Sequence, residues 1–218
     1  MSTHKNKLWL RWSAANALSE VFGLGATFAA IALLLPKIER QQTAGILLAF
    51  AVSVVCGAIE ATVVGLAQWW AMRPWFPQIR RSDWWRATLI GALLGYAIGY
   101  LPSALLHIRA TTQTPIAEPP QWVTLLLAAG LGIVAGAVLS FAQWWVLRNK
   151  VRSARLWVPA NMLAWAVGMP VIFWGMDLAF SMTTTSQRVC IIGGTLLVTG
   201  AIVGVIHGRF LMVLSQVK

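Results

Sequence analysis

Glu20 and Glu60 each sit deep in a long apolar stretch. An ionisable group in hydrocarbon is expensive to keep, so its default reading is functional, here a group that could bind a solute. The competing reading is a protonated carboxyl hydrogen-bonded to a neighbouring helix. Asn16, Thr88 and Asn161 lie about one turn inside the start of an apolar run, and Gln68, Gln143 and His207 lie at similar depth before the end of one. Such groups can join helices, at about 0.6 kcal/mol per bond in a membrane, or line a site for a solute, head group or ion. His207 has no second His or carboxylate at ligand spacing, so no metal is expected. Gly-x-Ser-x-Gly, His-Glu-x-x-His, a phosphate loop and neighbouring catalytic acids are all missing from the sequence, and His207 has no Ser nucleophile beside it. The chain is expected to be non-catalytic, and its residues name no cofactor.

The elements that must carry these groups follow from composition. Of 218 residues, 58% are hydrophobic and 11% charged, whereas a soluble domain is about 25% charged. Six stretches, near 13–35, 44–70, 86–107, 122–147, 157–181 and 190–214, are long enough to cross a bilayer as helices. They lack two-residue alternation, and lipid leaves backbone groups no outside partner, so the class is an all-α integral membrane protein. Residues 1–218 form one transmembrane domain.

The net charge of +11 is unevenly placed. Lys5, Lys7, Arg11, Arg73, Arg80, Arg81, Arg86, Arg148, Lys150, Arg152, Arg155, Arg209 and Lys218 fall on one side, and Lys37, Arg40, Arg109 and Arg188 on the other. This bias puts both termini in the cytoplasm. It also suits anionic lipid head groups rather than nucleic acid. The first apolar run carries Glu20 and lacks a cleavage site, so it reads as a retained helix. Cys56 and Cys190 differ in depth by roughly 7 Å, which argues against a disulfide and for buried thiols.

The chain repeats itself. Trp12, Trp84 and Trp157 open the odd runs, followed by Asn16, Thr88 and Asn161, then Gly23, Gly95 and Gly168, at offsets of 72 and 73 residues. The even runs end in AQWWAMR at 67–73 and AQWWVLR at 142–148, with His207 at the Gln position of the third. Hence the expectation of three tandem helical hairpins, approximately 8–75, 76–150 and 151–218, all starting from the same side and packed about a pseudo-threefold axis. Rows of small residues, Gly91, Gly95 and Gly99, then Gly132, Gly136 and Ser140, then Gly200, Gly204 and Gly208, supply close-packing faces. Trp69, Trp70, Trp144 and Trp145, with Arg73 and Arg148 just beyond, suit the head-group level. Trp12, Trp84, Trp85 and Trp157 are expected to anchor the incoming helices in the same way.

The pattern G-x-x-x-Q-W-x-x-L-R, carried by Gln68 to Arg73 (with Met72 in place of Leu) and Gln143 to Arg148, resembles that of uncharacterised multi-pass bacterial membrane proteins built from repeated hairpins. It implies architecture and a bacterial inner membrane, and no activity. The first functional expectation is a structural or docking subunit of a membrane complex that binds lipid, pigment or a membrane-protein partner. The second is a small-solute binding or transport protein using Glu60, Glu20 and the polar ring. In size and helix number the chain also resembles the substrate-binding subunits of vitamin uptake transporters, and Ala26-x-x-x-Ala30 is similar to their docking motif.

Overall fold

The long apolar runs fold as the sequence predicts, into helices that satisfy their own backbone hydrogen bonds. The computed structural model describes residues 3–38, 42–110 and 119–215. The first span begins as α1 (Thr3–Ser19), passes through a π-helical turn (Glu20–Leu24) and continues as α2 (Gly25–Leu34). Single unbroken helices make the other spans: α3 (Thr43–Met72), α4 (Arg81–Ala110), α5 (Gln121–Leu147), α6 (Trp157–Ser181) and α7 (Thr185–Leu214). All six spans are long and apolar enough to cross a membrane, and no strand occurs among the described residues. Leu33, Phe22, Val55, Leu126 and Phe180 point outward, a surface suited to lipid rather than water. The connection between α4 and α5 falls mostly on residues 111–118, outside the described residues.

The helices form a closed ring in chain order. The first span packs on α3, α3 on α4, α4 on α5, α5 on α6, α6 on α7, and α7 returns to α1. A glycine brings the backbones together at each contact. A Cβ added at Gly23 would lie 3.1 Å from the Glu60 Cα, one at Gly65 3.2 Å from Thr88, and one at Gly91 2.8 Å from the Leu139 Cα. Gly136 meets the Asn161 carbonyl at 2.7 Å, Gly168 meets Val203 at 3.0 Å, and Gly200 meets the Asn16 carbonyl at 2.6 Å by the same measure. In lipid, where burying apolar surface brings no advantage, such close approach is how helices associate. The row in α4 divides, however. Gly91 packs against α5, while a Cβ at Gly95 would touch only Ala135, at 3.9 Å, and at Gly99 nothing within 4 Å.

One end of the ring gathers the start of α1 and the segments around 73–80 and 148–156. Leu8, Trp12, Met72, Phe76, Ile79, Trp84, Leu147, Val151, Trp157 and Leu211 share a buried cluster there. Most of the basic side chains lie around it, so we call it the basic end. Lys150 and Asp83 pair across it at 3.2 Å, and Gln78 Nε2 donates to the Lys150 carbonyl at 3.2 Å. That ion pair is a third exposed on each side and contributes on the order of 0–1 kcal/mol. Neither cysteine is in a disulfide. Cys56 is buried as expected, but Cys190 is exposed.

Candidate functional site

Starting from the basic end, the first layer is tryptophan. Trp12, Trp84 and Trp157, expected at the head-group level, have no exposed surface at all. They meet in the middle of the ring, with Trp157 5.8 Å from Trp12 and 5.9 Å from Trp84 between ring centroids. The anchor reading is therefore corrected for these three. Each precedes a buried Asn or Thr by four residues, one helical turn on the same face, so whatever that polar group faces the indole faces too. Trp70 and Trp145 do lie on the outside, half exposed. The Arg148 guanidinium stacks on Trp145 at 3.2 Å, and Trp70 is covered by Arg11 at 3.8 Å. Arg73 and Arg148 also reach Trp69 and Trp144, at 5.5 and 5.8 Å. Trp69 and Trp85 are half-buried, and their indoles donate to the Ile79 carbonyl at 3.0 Å and to Thr62 Oγ1 at 3.3 Å.

Directly inside the indoles lies the polar layer, with Asn16, Gln68, Thr88, Gln143, Asn161 and His207 all buried. Gln68 uses both ends of its amide, donating to Asn16 Oδ1 at 2.9 Å and accepting from Trp84 Nε1 at 3.3 Å. Gln143 repeats the arrangement, donating to Thr88 Oγ1 at 2.9 Å and accepting from Trp157 Nε1 at 2.8 Å. A longer bond of 3.4 Å links the two glutamines. Each Gln thus ties its own helix to the one before it and to the indole that opens the next.

The junction at His207 differs. Trp12 Nε1, both His207 ring nitrogens and Asn161 Oδ1 are buried without a hydrogen-bond partner. His207 lies against the Trp157 ring, 5.2 Å between centroids. A neutral imidazole carries one donor and one acceptor, as a Gln amide does, but holds them in a fixed ring rather than on a flexible arm. His207→Gln is expected to complete the pattern, accepting from Trp12 and donating to Asn161. The thermal midpoint in detergent should then rise by the equivalent of about 1 kcal/mol, two membrane hydrogen bonds. A lowered midpoint would show that the imidazole itself is required.

Beyond the polar layer the helices form a half-open cavity of about 440 Å³. Its wall is almost wholly apolar, from Phe28, Leu139, Trp165, Met169 and Ile172, and the open side of the α4 glycine row faces it through Gly95 and Gly99. Glu60 lines it, and the Tyr96 hydroxyl donates a hydrogen bond to Glu60 Oε2. Thr27 fixes the backbone behind that carboxylate: its hydroxyl donates to the Cys56 carbonyl at 3.2 Å and accepts from the Glu60 amide at 3.2 Å. Glu20 opens the π-helical turn, a feature common at functional sites. Its side chain is buried against Gly200, close enough to Glu60 for the two carboxyls to interact, and its Oε2 has no hydrogen-bond partner.

The eight polar residues singled out in the sequence therefore divide between two places. Six form the layer beneath the indoles, while Glu60 and Glu20 belong to the cavity region farther along the bundle. Tyr96, Tyr100 and Trp165 were not anticipated. A signal was present: the chain has two tyrosines against 13 tryptophans, and both sit in α4 one turn apart. Their rings stack at 5.9 Å. The fold and the site define a helical bundle of six spans with a buried Trp and amide closure at one end and an acid-bearing apolar cavity inside. No family model matches the chain, and no curated protein or solved structure does either.

Proposed function

We propose that this chain is a membrane-embedded binding protein that holds a small, largely apolar molecule between its helices, with Glu60 and Tyr96 orienting it. The observation that carries the reading is the cavity of about 440 Å³ with a carboxyl and phenol pair in an otherwise apolar wall. Ligand sites are typically clefts of roughly 300–1,000 Å³, apolar with a few placed polar groups. A carboxyl kept at such depth for packing alone would be costly. The bias in basic residues supports an orientation with the basic end and both termini in the cytoplasm, and the resemblance of the Gln-Trp-Trp pattern to bacterial membrane proteins supports a bacterial inner membrane. The matching roles of Gln68 and Gln143, with His207 at the third position, support three like-oriented hairpins about a common axis. Transport would require the indole closure to part, and the junction at His207 is its least bonded point.

Filling the cavity tests this reading. A Cβ at Gly99 meets nothing within 4 Å, so Gly99→Phe projects a ring into open space without disturbing a helix contact. In native mass spectrometry the gently solubilised wild-type protein is expected to carry a small molecule that Gly99→Phe loses. Thermal stabilisation by apolar compounds should vanish with it. No retained molecule and no stabilisation across a broad panel of apolar compounds would reject the proposal.

The docking-subunit reading draws support from Gly130, Gly193 and Gly194, where nothing within 4 Å would cover an added Cβ. A co-purifying protein that Gly193→Leu releases, from a chain holding no small molecule, would favour it instead.

A further inference from the structure

We infer that the molecule held in this cavity is a bulky organic cation, an ammonium or phosphonium with apolar substituents, bound by Glu60 with help from Asp177. This rests on the binding reading above and specifies its ligand. The chain has 17 basic and six acidic residues, yet its cavity reverses that balance. Glu60 and Asp177 line it, Glu20 is buried just behind, and no Lys, Arg or His contributes to the wall. Among the described residues the one ion pair is Lys150 with Asp83, at the basic end, so neither wall carboxyl is matched by a basic side chain. In the apolar wall around Glu60 an unmatched carboxylate is strongly disfavoured and a ligand cation would stabilise it, whereas Asp177 is exposed at the cavity's margin. An anion would find two carboxyls and no basic group.

The apolar wall narrows the choice further. A metal ion needs six or more oxygen ligands or retained waters to replace its hydration shell, and this lining offers far too few. A cation that spreads its charge under hydrocarbon substituents is weakly hydrated and loses little on transfer. Aromatic faces then add to its binding, and Phe28, Tyr96, Tyr100, Trp165 and Phe173 are all in the wall. Tyr96 occupies Glu60 Oε2, which leaves Oε1 for the ligand. Counting from Trp84 and Trp157, which touch, Asp177 lies about 12 Å farther along the bundle than Tyr96 at 1.5 Å per residue. A second carboxyl at that distance would draw a cation toward the cavity and add less once it is seated.

Tetraphenylphosphonium and tetraphenylborate are nearly the same shape and opposite in charge, and triphenylphosphine oxide is a neutral relative. Binding of each to the purified full chain in neutral detergent can be followed by equilibrium dialysis. The phosphonium is expected to bind saturably, about one per chain, and at least roughly tenfold more tightly than the borate. Glu60→Gln, which keeps an acceptor for Tyr96, should weaken it by about tenfold or more. Asp177→Asn, at an exposed position that leaves the packing intact, should weaken it by roughly twofold to fivefold. Equal or tighter binding of the borate, or phosphonium binding unchanged by Glu60→Gln, would overturn the inference. If the neutral oxide binds as well as the phosphonium and Gly99→Phe abolishes both, the cation preference fails while the binding reading stands. If no probe binds, the cation preference fails, and the binding reading then rests on the mass spectrometry and apolar panel alone.

Discussion

Trp157→Ala is expected to be the most damaging single substitution in the chain. The indole has no exposed surface, touches Trp12, Trp84 and His207, and donates at 2.8 Å to Gln143 Oε1. Truncation removes the middle of the closure and leaves a buried amide oxygen without its donor. Large aromatic-to-alanine changes in packed interiors cost about 3–5 kcal/mol, and an orphaned acceptor adds roughly 1–3. The detergent-solubilised variant should unfold far below the wild type or fail to remain monodisperse. Trp145→Ala is the control, because that ring is 57% exposed and loses mainly its stacking with Arg148, worth about 0.5–1 kcal/mol. Equal losses at the two positions would mean that the buried indole cluster does not hold the bundle together.

Two glycines in α5 should respond to the same change with opposite signs. At Gly132 an added methyl would run into the Trp165 carbonyl of α6, whereas at Gly130 it would meet nothing within 4 Å. Gly132→Ala must push α5 from α6, and those helices carry the Gln143 to Trp157 hydrogen bond. Overpacking of this kind costs about 1–3 kcal/mol, and more here because the obstacle is backbone. Gly130→Ala, free of that obstacle, should gain about 0.5–1 kcal/mol from helix propensity. Unfolding midpoints of the two variants measured side by side decide the matter. A shift of the same sign in both would contradict the backbone contact between the helices.

The number of spans, their approximate limits and the burial of the polar residues within them could be read from composition and periodicity. These depend on local properties, namely length, apolarity and helical face. What the residues face depends on how the ring closes. Trp12 and Trp70 are the same residue type near the same end, and one is at the centre while the other lies outside. The four-residue step from Trp12 to Asn16 held the answer, because a polar residue turned inward commits its neighbour one turn away. Gly91, Gly95 and Gly99 have identical spacing, yet the first packs tightly on α5 while the others have open space beside them. Spacing cannot tell a tight contact from an empty one. The π-helical turn at Glu20 was hidden because one extra residue in a turn leaves the composition of an apolar run unchanged. Tyr96 escaped notice because a single phenol in an apolar run suits a lipid-facing position as well as an inward one.

The return of α7 to α1 sets the order in which a growing chain can finish. Glu20 lodges against Gly200, and Asn16 meets Gly200 through its carbonyl, so a span made early is completed by one made about 180 residues later. At roughly 5–20 residues per second, the nascent N-terminal segment waits on the order of ten seconds or more with its carboxyl lacking the surface that will cover it. During that interval a chaperone, an insertase or surrounding lipid must shelter it, and a truncation before residue 185 would leave that need permanent.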